Sequence, residues 1–175
     1  MDSGLVAAGL KRFYGQAQAS DHAHGLRLFG ARAVESMRLE KGYLHWKSDL
    51  LTEFDPFETG LDRFVDMNKQ EFVGKQALEA RLSAGPTRKL VSLTLEGDQA
   101  AAHGGSSVMV DGRVVGTVTS GEWGYRTQLN LAYAFVEPEM AVEGATMKID
   151  VLGELISAKV IPAGPYDPAY ARVRA

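Results

Sequence analysis

The chain has 175 residues, 45% of them hydrophobic and 23% charged, which suits one folded domain with a proper core and excludes disorder as its main state. A formal net charge of -3 and a pI near 5.8 offer no basic field for a phosphate backbone, so nucleic acid is not an expected partner. The absence of cysteine removes disulfide scaffolds, thiolate metal sites and cysteine nucleophiles together, and fits a reducing, cytoplasmic setting.

Asp2 and an apolar run broken by Gly9 and Lys11 do not make a secretory signal. No stretch approaches the roughly 20 apolar residues of a membrane span. Leu5, Val6, Leu10, Phe13 and Tyr14 recur at helical spacing behind Ser3, so a short amphipathic helix with Ser3 as N-cap is expected over 4–19. SDHAHG, 20–25, reads as a loop. A second helix follows over about 31–41, with Val34, Met37 and Leu39 on its packing face, Arg32, Glu35 and Arg38 in water, and Gly42 at its C-terminus.

Tyr43 to Trp46 reads as a short aromatic strand, followed by an Asp55-Pro56-Phe57-Glu58 corner that opens a brief turn ending near Gly60. A third helix is expected over 71–84, stopped by Gly85-Pro86. From Arg88 the hydrophobic period falls to 2. Strands are expected over 88–96, 108–110, 113–119, 129–136, 146–151 and 155–161, with Asp111-Gly112 as a type I′ turn and a second hairpin at 152–154. Six strands with short turns and no intervening helix give an α+β chain: a helical lead-in followed by a small antiparallel barrel or sandwich.

Few groups in this chain suggest chemistry. Asp55 and Glu58 can be read as an acid/base carboxylate pair, but acids around a helix start more naturally satisfy free N–H groups there. His22, His24, His45 and His103 show no metal-ligand spacing, and His45 is expected as a strand residue with one bonded ring nitrogen. Lys41 to Lys47 interleaves basic and aromatic groups as single-strand binders do, yet Glu40, Asp49, Glu53 and Asp55 cancel the field. A core strand is favoured there, with an aromatic wall for a flat heterocycle as the other reading. Gly104-Gly105-Ser106-Ser107 lacks P-loop spacing and reads as a turn, whereas 119–126, TSGEWGYR, places hydroxyls, an indole, a phenol and a guanidinium on what reads as one loop. No GxSxG elbow is present.

RLEKGY (38–43), DPFETGL (55–61), FVGKQAL (72–78), VGTVTSGEWGYRTQLNLAYAFV (115–136) and PAGPYDP (162–168) together resemble the C-terminal half of the aminomethyltransferase family. That family includes the glycine cleavage T-protein and the folate-binding portions of dimethylglycine and sarcosine dehydrogenases, and RLEKGY and PYDP lean toward the dehydrogenase branch. The resemblance covers about residues 25–170 and implies the end of a middle, folate-binding domain over 1–85 and a C-terminal barrel domain over 86–175. It implies tetrahydrofolate as cofactor, with Arg38, Tyr125, Arg126 and Tyr166 as the matching positions near it. Val34 departs from the pattern, which has an arginine there. The family's catalytic aspartate and pterin-binding glutamate lie upstream of this sequence, so the resemblance implies a chain that is inactive alone. It would work beside the missing N-terminal half or a flavin-bearing subunit, or serve as a non-catalytic docking module, with homodimerisation through residues 4–19 a further expectation.

Overall fold

The computed structural model describes residues 3–19, 25, 27–98 and 100–175. His22, His24 and the loop expected over 20–25, apart from Gly25, lie outside the described residues. The chain divides into two compact units, Met1–Ala33 and Val34–Ala175.

Helix α1, Ser3–Ala19, begins one residue before the expected start, so Ser3 is its first helical residue. Phe13 and Tyr14, expected on a packed face, are exposed. Helix α2, Ala31–Lys41, ends in a Schellman motif: Gly42 at φ 80° lets its N–H bond Leu39 O at 3.2 Å while Tyr43 N–H reaches back to Arg38 O at 2.8 Å. The faces of α2 correct the expected ones. Ser36, Arg38, Leu39 and Glu40 are buried, whereas Val34 and Met37 are about half exposed. Polar groups on the inward face find partners that hydropathy does not register.

The aromatic strand expected at Tyr43 to Trp46 is not formed. A single bridge joins Trp46 to Leu50, and a tight turn takes the chain through Lys47 at φ 70°. The donors of this segment go to local acceptors instead of a neighbouring strand, with His45 O receiving the N–H groups of Ser48, Asp49 and Leu50. Helix α3, Pro56–Thr59, has Asp55 as N-cap and Pro56 in its first turn, and closes at Gly60 with φ 72°. Asp62–Phe64 then forms a 3-10 turn. Helix α4, Lys75–Ala84, starts four residues later than expected, because Gly74 at φ 94° interrupts the helical path.

The six expected strands are present: β1 Lys89–Leu95, β2 Ser107–Val110, β3 Arg113–Gly124, β4 Leu129–Val136, β5 Thr146–Val151 and β6 Glu154–Ile161. They close an antiparallel barrel in the order β1-β4-β3-β2-β5-β6, with β6 returning to β1 through Ser92↔Ile161 to Leu95↔Ala158. Closure leaves no long unpaired edge. Asp111 and Gly112, at φ 50° and 78°, make the expected type I′ turn. A short helix α5, Ala171–Arg174, ends the chain.

Two clusters hold Val34–Ala175 together. Inside the barrel, Leu93, Val108, Val115, Ala132, Ala134 and Ile149 are fully buried with their neighbours, each Val, Leu or Ile contributing roughly 1.5–3 kcal/mol of burial. Outside it, Leu39 of α2 packs on Leu131 and Tyr133, flanked by Leu44, Leu90 and Ile161. Strand β4 is therefore buried on both faces, with Ala132 and Ala134 inward and Leu131 and Tyr133 under the polypeptide that follows α2. That second layer is where the polar machinery lies.

Candidate functional site

The end of α2 carries Arg38, Leu39, Glu40 and Lys41, and each side chain reaches a different part of the fold. Arg38 Nη1 bonds Asp49 Oδ2 at 2.5 Å and Tyr43 O at 3.4 Å. Its Nε and Nη2 bond Glu35 Oε2 at 2.9 and 2.6 Å. The guanidinium lies 5.8 Å from the Tyr133 ring centroid. Asp49 is fully buried, and its other partners are His45 N–H at 2.8 Å and the Thr119 and Ser120 hydroxyls at 2.5 and 2.6 Å. Two consecutive residues of one strand reach the same carboxylate oxygen because β3 bulges: Val118 pairs with Ala134 and Ser120 with Tyr133, leaving Thr119 unpaired. Without the bulge, alternation would send the two hydroxyls to opposite faces.

Glu40, also buried, holds the turn of residues 125–128. Its Oε1 accepts from Arg126 N–H at 2.6 Å, Thr127 N–H at 2.7 Å and the Thr127 hydroxyl at 3.1 Å. Gly124 permits this approach, since a Cβ there would lie 3.0 Å from Glu40 Cγ and 2.5 Å from Thr127 Oγ1. The backbone carbonyl of Glu40 accepts from Tyr166 N–H at 2.9 Å. Lys41 Nζ bonds Asp167 at O (2.7 Å) and Oδ2 (3.1 Å), and lies 3.9 Å from the Tyr170 ring centroid and 5.9 Å from that of Tyr166. Gly42 and Gly164 meet backbone to backbone, both at positive φ, where a Cβ on Gly42 would come within 3.0 Å of Gly164. Burial pushes the Asp167 carboxyl up, but Lys41 and the Ala171 and Arg172 N–H groups outweigh it and hold it below the usual range.

The four positions singled out by resemblance thus fall into two kinds. Tyr125 and Arg126 project from a turn whose backbone is fixed by Glu40, and both are exposed. Among the described residues the Arg126 guanidinium has no bonded partner, which leaves it free for an anion. Tyr166 is half-buried and tied to the same Glu40. Arg38 is saturated by Glu35, Asp49 and Tyr43, and its visible work is positioning. The loop expected over 119–126 is corrected: Thr119 to Gly124 belongs to β3, and only Tyr125 and Arg126 lie in the turn. Glu40 and Asp49, expected only to cancel a local field, and Lys41, expected on a solvated flank, are instead buried or partly buried and bonded. Glu40 does sit in the RLE motif two residues from Arg38, which is the signal that pointed to this place.

Asp55 and Glu58 are a corner, as the capping reading expected. Asp55 Oδ1 accepts from Phe57 and Glu58 N–H at 2.8 and 3.0 Å, and Glu58 Oε2 accepts from Asp55 N–H at 3.2 Å. Glu58 Oε1 takes Thr87 N–H and hydroxyl at 3.0 and 2.7 Å, tying the corner to the start of β1. Burial raises the Glu58 carboxyl, and the bonds from Thr87, Asp55 and Arg88 more than offset it, leaving it below the ordinary carboxylate range. His45 Nδ1 lies 3.1 Å from the Ser48 hydroxyl. No grouping of metal-ligating side chains occurs among the described residues, and no helix among them is long and apolar enough to cross a membrane.

Residues 88–167 match the glycine cleavage T-protein C-terminal barrel domain, and residues 8–69 match the GCVT N-terminal domain. Mitochondrial dimethylglycine dehydrogenase of Mus musculus is 35% identical over 164 residues, 92% of this chain and 19% of that protein. Aminomethyltransferase of Parasynechococcus marenigrum is 36% identical over 138 residues, 78% of this chain and 37% of that protein. The crystal structure of glycine cleavage system aminomethyltransferase T from Bartonella henselae superposes with a TM-score of 0.72 at 26% identity, covering 78% of this chain and 38% of that one. The chain spans about a fifth of the dehydrogenase and under two fifths of the aminomethyltransferases.

Proposed function

The chain belongs to the glycine cleavage T-protein (aminomethyltransferase) family, and from that membership we propose that it forms the C-terminal, folate-facing part of a one-carbon transfer protein. The observation that carries the proposal is the convergence on Glu40: its carboxylate fixes the turn presenting Tyr125 and Arg126, and its carbonyl fixes Tyr166. An uncommitted guanidinium on the turn that carries Tyr125, with Tyr166 tied to the same Glu40, suits a flat ring system ending in carboxylates. In this reading Arg126 holds the anionic end of tetrahydrofolate, and Tyr125 and Tyr166 flank it, while Arg38 positions the supporting turn. Bound tetrahydrofolate would supply the nitrogen that accepts the one-carbon unit.

These 175 residues orient and do not perform the transfer. Glu40 and Asp49, the buried carboxylates nearest this arrangement, are committed to three and four donors respectively. Neither is available to polarise a reacting nitrogen. The 1–85 and 86–175 division is part of the same proposal, supported by the change of matching family domain between residues 69 and 88, and so is action in the cytosol. Titration of the chain with tetrahydrofolate should give weak binding that Arg126→Ala removes. Turnover of an aminomethyl donor by the chain alone would overturn the inactive assignment.

A second reading, a docking module for an N-terminal or flavin-bearing partner or for a second copy, is favoured by the exposed Val34 and Met37 on α2. Light scattering decides part of it, since a strict monomer at high concentration counts against self-association.

A further inference from the structure

Beyond Ile161 the chain leaves the barrel. Of residues 162–175 only Gly164 is buried, and none belongs to either apolar cluster. Three consecutive residues at the end of α2 hold this tail instead. Glu40 O accepts from Tyr166 N–H at 2.9 Å, Gly42 meets Gly164 backbone to backbone, and Lys41 Nζ reaches Asp167 O at 2.7 Å and Oδ2 at 3.1 Å. The Lys41 and Asp167 side chains are only 13% and 10% exposed, so solvent screens this ion pair less than a surface one. Lys41 also lies 3.9 Å from the Tyr170 ring centroid. Asp167 in turn gathers the local bonds of the tail, its O accepting from Tyr170 N–H at 2.9 Å and its Oδ1 from Ala171 N–H at 2.8 Å. One ammonium therefore fastens the segment from Asp167 to the start of α5. Asp167 and Tyr170 stand at φ 47° and 55°, in the left-handed region that a residue with a Cβ leaves once nothing holds it there. The turn of residues 125–128 is built the opposite way. Its grip is the buried Glu40 carboxylate, with three donors from Arg126 and Thr127, and none of those bonds passes through Lys41.

We propose that residues 162–175 are a strap that opens and closes as a unit against the end of α2, with Lys41 as the positioning residue that latches it. The turn carrying Tyr125 and Arg126 is then a fixed jaw and the strap carrying Tyr166 a moving one, both seated on Glu40. Opening breaks few bonds and exposes little apolar surface, because the tail contributes nothing to either cluster, and it relaxes two left-handed residues. The barrel and the turn keep all their own contacts. Admission of a flat ligand between the jaws is the use of this motion, and that clause rests on the folate-facing reading above; the motion itself does not.

The test is amide hydrogen exchange of the full chain, followed residue by residue by NMR, together with thermal melting. In the parent the amides of Tyr166, Tyr170 and Ala171 should share one opening, with protection factors at least about tenfold below those of Arg126 and Thr127. Lys41→Met should lower the protection of those three by about a further tenfold, as loss of a shielded charge-assisted bond predicts. Its Tm should stay within about 2 °C of the parent, because a strap that is already open when the barrel melts adds nothing to the melting equilibrium; a strap that unfolds only with the barrel would carry the same tenfold loss into a Tm lower by about 3–6 °C. That fall in Tm, equal protection of strap and turn in the parent, or unchanged strap exchange in Lys41→Met would each overturn the proposal. Neither measurement involves a ligand, so failure to bind tetrahydrofolate would remove the folate-facing reading and leave the strap standing.

Discussion

Replacing Asp49 by Asn keeps the shape of the side chain and removes the charge that faces Arg38. In the parent protein the carboxylate is fully buried and accepts from Arg38, His45, Thr119 and Ser120. An amide can still serve the two hydroxyls through its oxygen, but its NH₂ group would then face Nη1, donor against donor. The Arg38 side chain, 9% exposed, would keep Glu35, which is 36% exposed, and the long Nη1 bond to Tyr43 O. Removing one partner of a buried pair costs about 3–5 kcal/mol, and the surviving Glu35 contact argues for the lower end, about 3 kcal/mol. For a unit of this size each kcal/mol moves Tm by about 2–4 °C, so Asp49→Asn should melt about 6–12 °C below the parent. Urea unfolding should show a lower midpoint at unchanged m-value, because the surface exposed on unfolding stays the same. Adding Arg38→Met should cost little more, since the orphaned cation is then gone, and the cycle should report a coupling of at least about 1 kcal/mol. A single-variant loss of about 0.5 kcal/mol or less, typical of exposed ion pairs, would refute the view that this pair anchors α2 to β3.

Three further outcomes follow from the same layer. Glu40→Ala leaves two N–H groups of the 125–128 turn without an acceptor; a loss of about 2–4 kcal/mol is expected, with faster hydrogen exchange at Arg126 and Thr127 and slower exchange at neither. Gly164→Ala places a Cβ 2.8 Å from Lys41 O at a φ of 70°, so about 2 kcal/mol or more should be lost, and limited proteolysis should open the chain beyond Ile161. The Glu58 carboxyl titrates lower when folded than when unfolded, so its contribution is present above the unfolded carboxylate pKa of about 4.3 and is lost as pH falls through the folded value. The Tm of Glu58→Gln should therefore fall less steeply than the parent's on acidification below that point, and parallel curves would contradict the assignment.

The barrel was readable because its signals are local. Alternation of Val91, Leu93 and Leu95, and Asp-Gly at 111–112, specify strand and turn over a few residues, and five of the six strands stand within a residue or two of where period 2 places them, β3 running on to Gly124 instead of ending at 119. The helices were less so. In α2 the hydrophobic pattern selects Val34 and Met37 as inward residues, yet Arg38 and Glu40 take that place because buried acceptors and donors are waiting for them. Tyr43 to Trp46 has strand composition without a strand to pair with, and its residues follow the Schellman turn and Asp49 instead.

For the candidate site the division is the same. The motifs single out Arg38, Tyr125, Arg126 and Tyr166 together, but nothing in the order of residues says that Glu40 joins the last three. Residues 40 and 127 are 87 positions apart, Lys41 and Asp167 126, and Asp49 and Thr119 70. Period, composition and turn chemistry act over a handful of residues, so by themselves they determined a six-stranded antiparallel barrel behind a helical lead-in. Only the closed tertiary structure decided which carboxylates are buried, where β3 bulges to bring two neighbouring hydroxyls to Asp49, and how the tail lies against Gly42. Those outcomes depend on which distant donors and acceptors burial forces together, and a buried charge is tolerated only where they meet.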